Sequence, residues 1–137
     1  YTDTVGREQG YPSIFLQRNL DTTEAQRRVF EKAYQKGVTL LYGTDAGVLP
    51  HEMGGWQFAI MTELGMTPME AIQSATSDAA AHMGLAEDVG TIAPGKAADL
   101  IAMLSDPLKN SQAFRQVDMV MKSGKIVKSP PSVTIAP

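Results

Sequence analysis

The chain has 137 residues, 43% of them hydrophobic and 20% charged, proportions of an ordinary folded protein that set aside disordered and collagen-like classes. Its formal net charge is −3, with twelve Lys and Arg scattered along the chain, so no basic surface for nucleic acid or an anionic membrane is expected. No apolar run reaches the roughly 18 residues of a membrane span, and the absence of Cys excludes disulfides and thiolate metal sites while leaving the compartment open, with the cytoplasm as default expectation.

The first residue is Tyr1, and residues 1–9 show neither a basic stretch nor the apolar core of a signal peptide. The sequence is therefore expected to start inside a longer chain, with any targeting signal upstream. Residues 1–20, punctuated by Gly6, Gly10 and Pro12, read as loop with a short helix at most. Asp21 and Glu24 form a D-x-x-E start signal. Ala25, Val29, Phe30, Ala33 and Tyr34 continue as a helical apolar stripe, and Gly37 supplies the cap.

Residues 38–42 are continuously apolar apart from Thr39 and lie between Gly37 and Gly43. Such a run suits a strand buried on both faces, as in a parallel sheet, and helix–strand–helix order is the α/β pattern. After the 43–50 loop, residues 56–64 read as a helix ending at Gly65. Thr67-Pro68-Met69-Glu70 is a capping box with Pro at the first helical position, opening a helix to about Thr76. A short helix follows, capped by Ser77 or Asp78, running through His82 and closed by Gly84.

Composition then shifts toward strand. Residues 90–92, a turn at Pro94-Gly95, and residues 100–104 read as β; residues 117–121 and 126–128 read as a hairpin about Ser123-Gly124. The tail from Ser129 is expected to be extended.

Four stretches carry a family resemblance. They are Gly43-Thr44-Asp45-Ala46-Gly47 after the buried run, Pro50-His51, Gly65-Met66-Thr67-Pro68-Met69-Glu70-Ala71-Ile72 with Ala75-Thr76, and Gly90-Thr91-Ile92-Ala93-Pro94-Gly95-Lys96-Ala97-Ala98-Asp99-Leu100. In this order they resemble the amidohydrolase superfamily, in the branch of imidazolonepropionase-like enzymes and Xaa-Pro dipeptidases, and Lys122-Ser123-Gly124-Lys125 resembles its closing hairpin. The resemblance implies the last part of a metal-dependent hydrolase (β/α)₈ barrel over residues 1–88. It also implies C-terminal strands of a composite β-sandwich over 89–129, leaving an extended tail at 130–137. The family's His-x-His pair, bridging lysine or acid, and two later histidines have no counterpart here.

Asp45 is the leading candidate residue. Barrel active sites collect at the C-terminal ends of strands, and a carboxylate there can ligate a divalent metal and accept a proton from metal-bound water. The resemblance implies both roles. The competing reading is a turn-forming Asp beside glycines. His51, six residues on, would line the substrate pocket or support Asp45, or be a solvent-facing loop residue; Glu52 and Gly54 stand where the family often has Gly and Asn. His82, Asp99 and the Gln26-Arg27-Arg28 run read as structural or solvated. Met53, Met61, Met66, Met69 and Met83 read as core and interface filler.

The expected cofactor is a divalent metal, zinc foremost, one or two ions per complete enzyme. A zinc site needs three or four protein ligands; Asp45 and at most His51 do not suffice. The expected activity is hydrolysis of an amide C–N bond, with Xaa-Pro dipeptides as leading substrates. Cyclic amides or deamination of a heterocycle form the alternative, and a small non-catalytic α/β module is the alternative outside enzymes. The expected partners are a small-molecule or dipeptide substrate, the remainder of the same polypeptide and, in a homo-oligomer, further copies.

Overall fold

The structure, a computed structural model, describes residues 2–46 and 50–129. Pro12 sets φ −54° at the N-cap of the longest element, a value its ring imposes and a helix accepts. From there α2 runs over Ser13–Gln35, preceded by α1 over Thr2–Glu8. The loop expected over residues 1–20 is thus mostly helix. Asp21 is not a cap but a mid-helix residue accepting from Gln17 Nε2 at 2.8 Å. The hydroxyls of Thr22 and Thr23 bond back to Arg18 and Asn19 carbonyls, so groups that could have broken the helix are satisfied along it.

Three further helices follow: α3 over Trp56–Glu63, α4 over Pro68–Ala75 and α5 over Ser77–His82, close to the expected bounds. α2, α3 and α5 end alike. The amides of Gly37, Gly65 and Gly84 return to Tyr34, Thr62 and Ala81, and those of Val38, Met66 and Leu85 reach one residue further back. This paired closure needs a left-handed residue after the cap, and the three glycines adopt φ of 71°, 109° and 71°. At α4 the expected capping box is present in both directions between Thr67 and Glu70.

The core gathers Met61, Met66 and Ala71, with Phe30, Tyr34, Leu40, Tyr42 and Phe58 packed against it. Met61 and Met66 fill the interior as expected, whereas Met69 and Met83 are exposed. Arg27 on α2 pairs with Glu63 on α3 at 3.5 Å.

The strand expected over 38–42 does not form: the segment joins no sheet, and Val38 and Leu41 are 52% and 42% exposed. A doubly covered strand needs partners on both sides, and among the described residues none lies there. No ladder forms at 90–92 either, where Ile92 is 89% exposed.

The sheet consists of β1 Leu100–Ala102, β2 Met119–Lys122 and β3 Lys125–Lys128, antiparallel in that order. The hairpin is as expected. Asp99 holds its turn, accepting from the Ser123 amide at 2.7 Å and from the Lys122 ammonium. These bonds, Lys122 first, hold the Asp99 carboxyl below the usual carboxylate range. Lys96 donates to the Ala86 carbonyl and to Thr91 Oγ1 at 2.7 Å, closing the loop ahead of the sheet. The tail from residue 130 lies outside the described residues.

Candidate functional site

The segment leaving Gly37 is steered by tertiary contacts at its far end. The Tyr42 amide donates to the Ser74 carbonyl of α4 at 3.1 Å. Its ring stacks on Phe58 of α3 at 4.7 Å between centroids, and Phe58 stacks on Phe114 at 3.9 Å. Stacked aromatic contacts add to area burial. Phe114 lies in a 3₁₀ turn, Ser111–Arg115, so the stack ties three separate stretches together.

Beyond Tyr42 the chain crosses a second turn. His51–Met53 forms a 3₁₀ turn that runs through Gly54 and Gly55 into α3. The Tyr42 hydroxyl donates to the Gly54 carbonyl at 2.7 Å, and Gln57 Nε2 donates to the Gly43 carbonyl at 3.0 Å. A Cβ on Gly54 would stand 3.1 Å from the Tyr42 hydroxyl and 3.5 Å from Thr44 Cγ2. The two backbones meet closely here.

Asp45 follows directly. It is exposed and adopts φ 49°, a left-handed conformation that Asp tolerates better than most side chains. Its neighbours Thr44 and Ala46 line a small cavity of about 60 Å³ with Pro50, Met53, Gln57 and Ile60. Asp45 itself does not line that cavity. His51 is exposed at the head of its turn, and it shares no hydrogen bond with Asp45 among the described residues. Gly47, the last residue of the Gly-Thr-Asp-Ala-Gly motif, lies outside them.

The structure thus brings the Asp45 and His51 segments side by side through Tyr42, Gly43, Gly54 and Gln57, without joining the two side chains. Nothing in the sequence singled out Tyr42 or Gln57. Tyr42 read as the end of an apolar run and Gln57 as a helix residue, and their link spans separated stretches. His82 is exposed on α5, its Nδ1 2.9 Å from the Asp78 carbonyl.

Among the described residues no three His, Asp or Glu side chains form a group that could hold a metal ion. The loop carries one carboxylate, Asp45, and a single carboxylate does not make a metal centre. No described helix is long and apolar enough to cross a membrane.

The model of the amidohydrolase family matches residues 7–127. The chain belongs to the amidohydrolase family, whose members act on C–N bonds. It is 34% identical over 111 residues to an ochratoxinase of Aspergillus niger, covering 78% of this chain and 23% of that protein. It is 45% identical over 65 residues to an imidazolonepropionase of Shouchella clausii, covering 45% of this chain and 14% of that protein. A crystal structure of a Xaa-Pro dipeptidase with methionine in its active site superposes with a TM-score of 0.81 at 34% identity, over 93% of this chain and 32% of that one. The chain therefore spans about a quarter to a third of the length of the ochratoxinase and of the dipeptidase structure.

Proposed function

We propose that the chain forms part of a metal-dependent amidohydrolase that cleaves an amide C–N bond, with dipeptides of the Xaa-Pro type as substrates. The observation carrying this reading is the likeness to a Xaa-Pro dipeptidase over 93% of the chain, with the Asp45 loop held against the His51 turn by side-chain bonds. In this reading residues 1–88 belong to a (β/α)₈ barrel, 89–129 to strands of a composite β-sandwich, and the remainder of the polypeptide completes both. The open groove of about 540 Å³ beside Gly37, Val38, Thr39 and Leu40 supports it, because a neighbouring barrel strand would fill such a groove.

Asp45 would then serve as one ligand of a divalent metal, zinc being the expected ion, whose other ligands lie elsewhere in the polypeptide. A bound divalent ion would supply a water with its pKa lowered toward ~7. The task left to this chain is to hold a carboxylate that accepts a proton as water attacks the carbonyl carbon. His51 is assigned to the substrate side of the same loop.

The test is a substrate panel on the full polypeptide carrying this sequence, after chelation and again after restoring zinc or manganese. Zinc-dependent release of proline from Xaa-Pro dipeptides is the expected outcome. The 45% identity to an imidazolonepropionase and the matches to adenine deaminases favour a second reading, in which the substrate is a cyclic amide or an amine-bearing heterocycle. Turnover of such compounds with inert dipeptides would replace the first reading by the second. Inertness toward both in the metal-loaded enzyme would remove the hydrolase reading.

A further inference from the structure

We propose that Tyr42 and Gln57 are positioning residues that hold the Asp45 carboxylate in its working orientation, an inference that rests on the reading of Asp45 as a catalytic carboxylate. The two side chains are parts of one closed ring of hydrogen bonds. The Tyr42 hydroxyl donates to the Gly54 carbonyl at 2.7 Å, and that same carbonyl accepts the Gln57 amide at 2.9 Å. From Gln57 the side chain returns to the Gly43 carbonyl at 3.0 Å, one peptide beyond Tyr42. The ring ties residues 42–43 to residues 54–57 at both of its corners.

Its placement gives it consequence. Asp45 lies two residues past Gly43 at φ 49°, a left-handed conformation that Asp adopts more readily than most residues but still at a cost its surroundings must meet. The segment before it joins no sheet, so strand pairing among the described residues does not fix its course. On either side of it, Thr44 and Ala46 border the small cavity. The fixed points closest upstream of Asp45 are the Gln57 bond to Gly43 and the Tyr42 contacts. Both ties run to backbone carbonyls, so they set the path of the chain. Tyr42 is already anchored by its stack on Phe58 and by its amide bond to Ser74; its hydroxyl adds the contact that locates the His51 turn relative to the loop.

A carboxylate misplaced by about 1 Å costs on the order of 10²-fold in rate, and loss of one of two ties costs part of that. Tyr42→Phe keeps the ring and its stack while deleting one donor; Gln57→Met keeps length and helix propensity while deleting the other. In the full metal-loaded polypeptide each is expected to lower kcat about 5- to 30-fold with KM changed less than about threefold. Amide exchange over residues 43–46 is expected to quicken in both. The double variant should lose less than the product of the single losses, because each variant opens the same ring.

Both single variants retaining kcat within twofold, in an enzyme that Asp45→Asn inactivates, would overturn the positioning role and leave Asp45 its part. Asp45→Asn with near-normal kcat would instead overturn the reading beneath it. A fall in Tm with kcat unchanged at temperatures where the variants stay folded would assign the ring to stability alone, and that also overturns the proposal. Should either variant fail to fold, the other decides, since each removes a single donor of one ring.

Discussion

The Tyr34 hydroxyl donates to Glu70 Oε2 at 2.7 Å, joining the last turn of α2 to the first turn of α4. The same oxygen accepts from the Thr67 amide at 2.9 Å and the Thr67 hydroxyl at 2.6 Å. A local cap and a tertiary tie therefore converge on one atom. The Thr67 bonds, then the Tyr34 bond, hold the Glu70 carboxyl below its usual range, and the bond to Glu70 pushes the Tyr34 phenol up.

These shifts set a pH dependence. Glu70 is depressed in the folded state, so its contribution is present above the unfolded carboxylate value of about 4.3 and fades as pH falls through the lower folded value. Tyr34 is raised, so its contribution is present below about 10 and fades as pH rises through the higher folded value. Tyr34→Phe is expected to lower Tm most near neutrality, and less both at acid pH, once Glu70 is protonated in the folded state, and at alkaline pH, once Tyr34 is ionised there. Thermal melts of the full polypeptide and the variant across that range check it. A pH-independent Tm difference would show that the bond carries no linkage.

Met61 and Ala71 sit at the centre of the core with 2% and 0% of their surfaces exposed. Met61→Ala would remove three side-chain heavy atoms from the contact of α3 with the Tyr42 segment. The expected cost is about 2–5 kcal/mol, depending on how far the site collapses. Denaturant titration reads it directly. A loss below about 0.5 kcal/mol, the scale of a surface change, would mean that Met61 is not a core residue in the folded protein.

Asp45→Asn keeps the size and much of the polarity of the side chain while removing a strong proton acceptor. In the full polypeptide the expected effect is a loss of roughly 10²–10⁴-fold in kcat, the range for removing a general base. Tm in the metal-free protein should change little, since Asp45 is exposed. Near-normal turnover on the true substrate would remove Asp45 from the base role.

Local signals were legible in the sequence where one short stretch decides the outcome. Thr67-Pro68-Met69-Glu70 contains its whole capping box, and Gly65 and Gly84 mark the ends of α3 and α5 through their own backbone angles. The Ser123-Gly124 turn predicted the hairpin for the same reason. The failures lie where the outcome is tertiary. The apolar run at 38–42 has the composition of a buried strand, but a strand is a pairing, and no described segment pairs with it. Asp21 looked like a cap because a D-x-x-E signal is local, whereas Pro12 had already started the helix upstream. At the candidate site, Asp45 was suggested by its motif, but Tyr42 and Gln57 had no signal of their own. Their bonds bring together residues 12 and 14 positions apart, which no spacing rule anticipates.

Gly90 turns at φ 91°, and a Cβ there would stand 2.6 Å from Ala80 Cβ and 3.0 Å from the Thr76 carbonyl oxygen. Two costs would meet in Gly90→Ala: the unfavourable backbone angle, on the order of 1–3 kcal/mol, and a steric push on α5. They separate in a double-mutant cycle with Ala80→Gly, which opens space but leaves φ unchanged. Partial rescue is expected, with the residual loss set by the backbone. Full additivity of the two single losses would show that the clash is relieved by a loop shift and that φ alone matters.

The last prediction concerns the sheet. β3 is an edge, and all four of its residues are exposed, Ile126 by 55% and Val127 by 66%. These two neighbours point to opposite faces of a strand, so neither face of β3 is covered among the described residues. Ile101 on β1 is 51% exposed as well. Three short strands that bury only part of one face are marginal in water, and an unpaired edge offers its N–H and C=O groups to another chain. Lys125 and Lys128 flank the apolar pair and oppose edge-to-edge stacking, but they leave the two faces untouched. Expressed by itself, the 137-residue chain is therefore expected to self-associate, and Val127→Lys to shift it toward monomer by placing a charge on one face. Sedimentation velocity over a concentration series measures both. A wild-type chain that stays monomeric at the highest concentration, with a single cooperative unfolding transition, would show that this sheet needs no cover, and with it would fall the reading of residues 89–129 as strands of a larger sandwich.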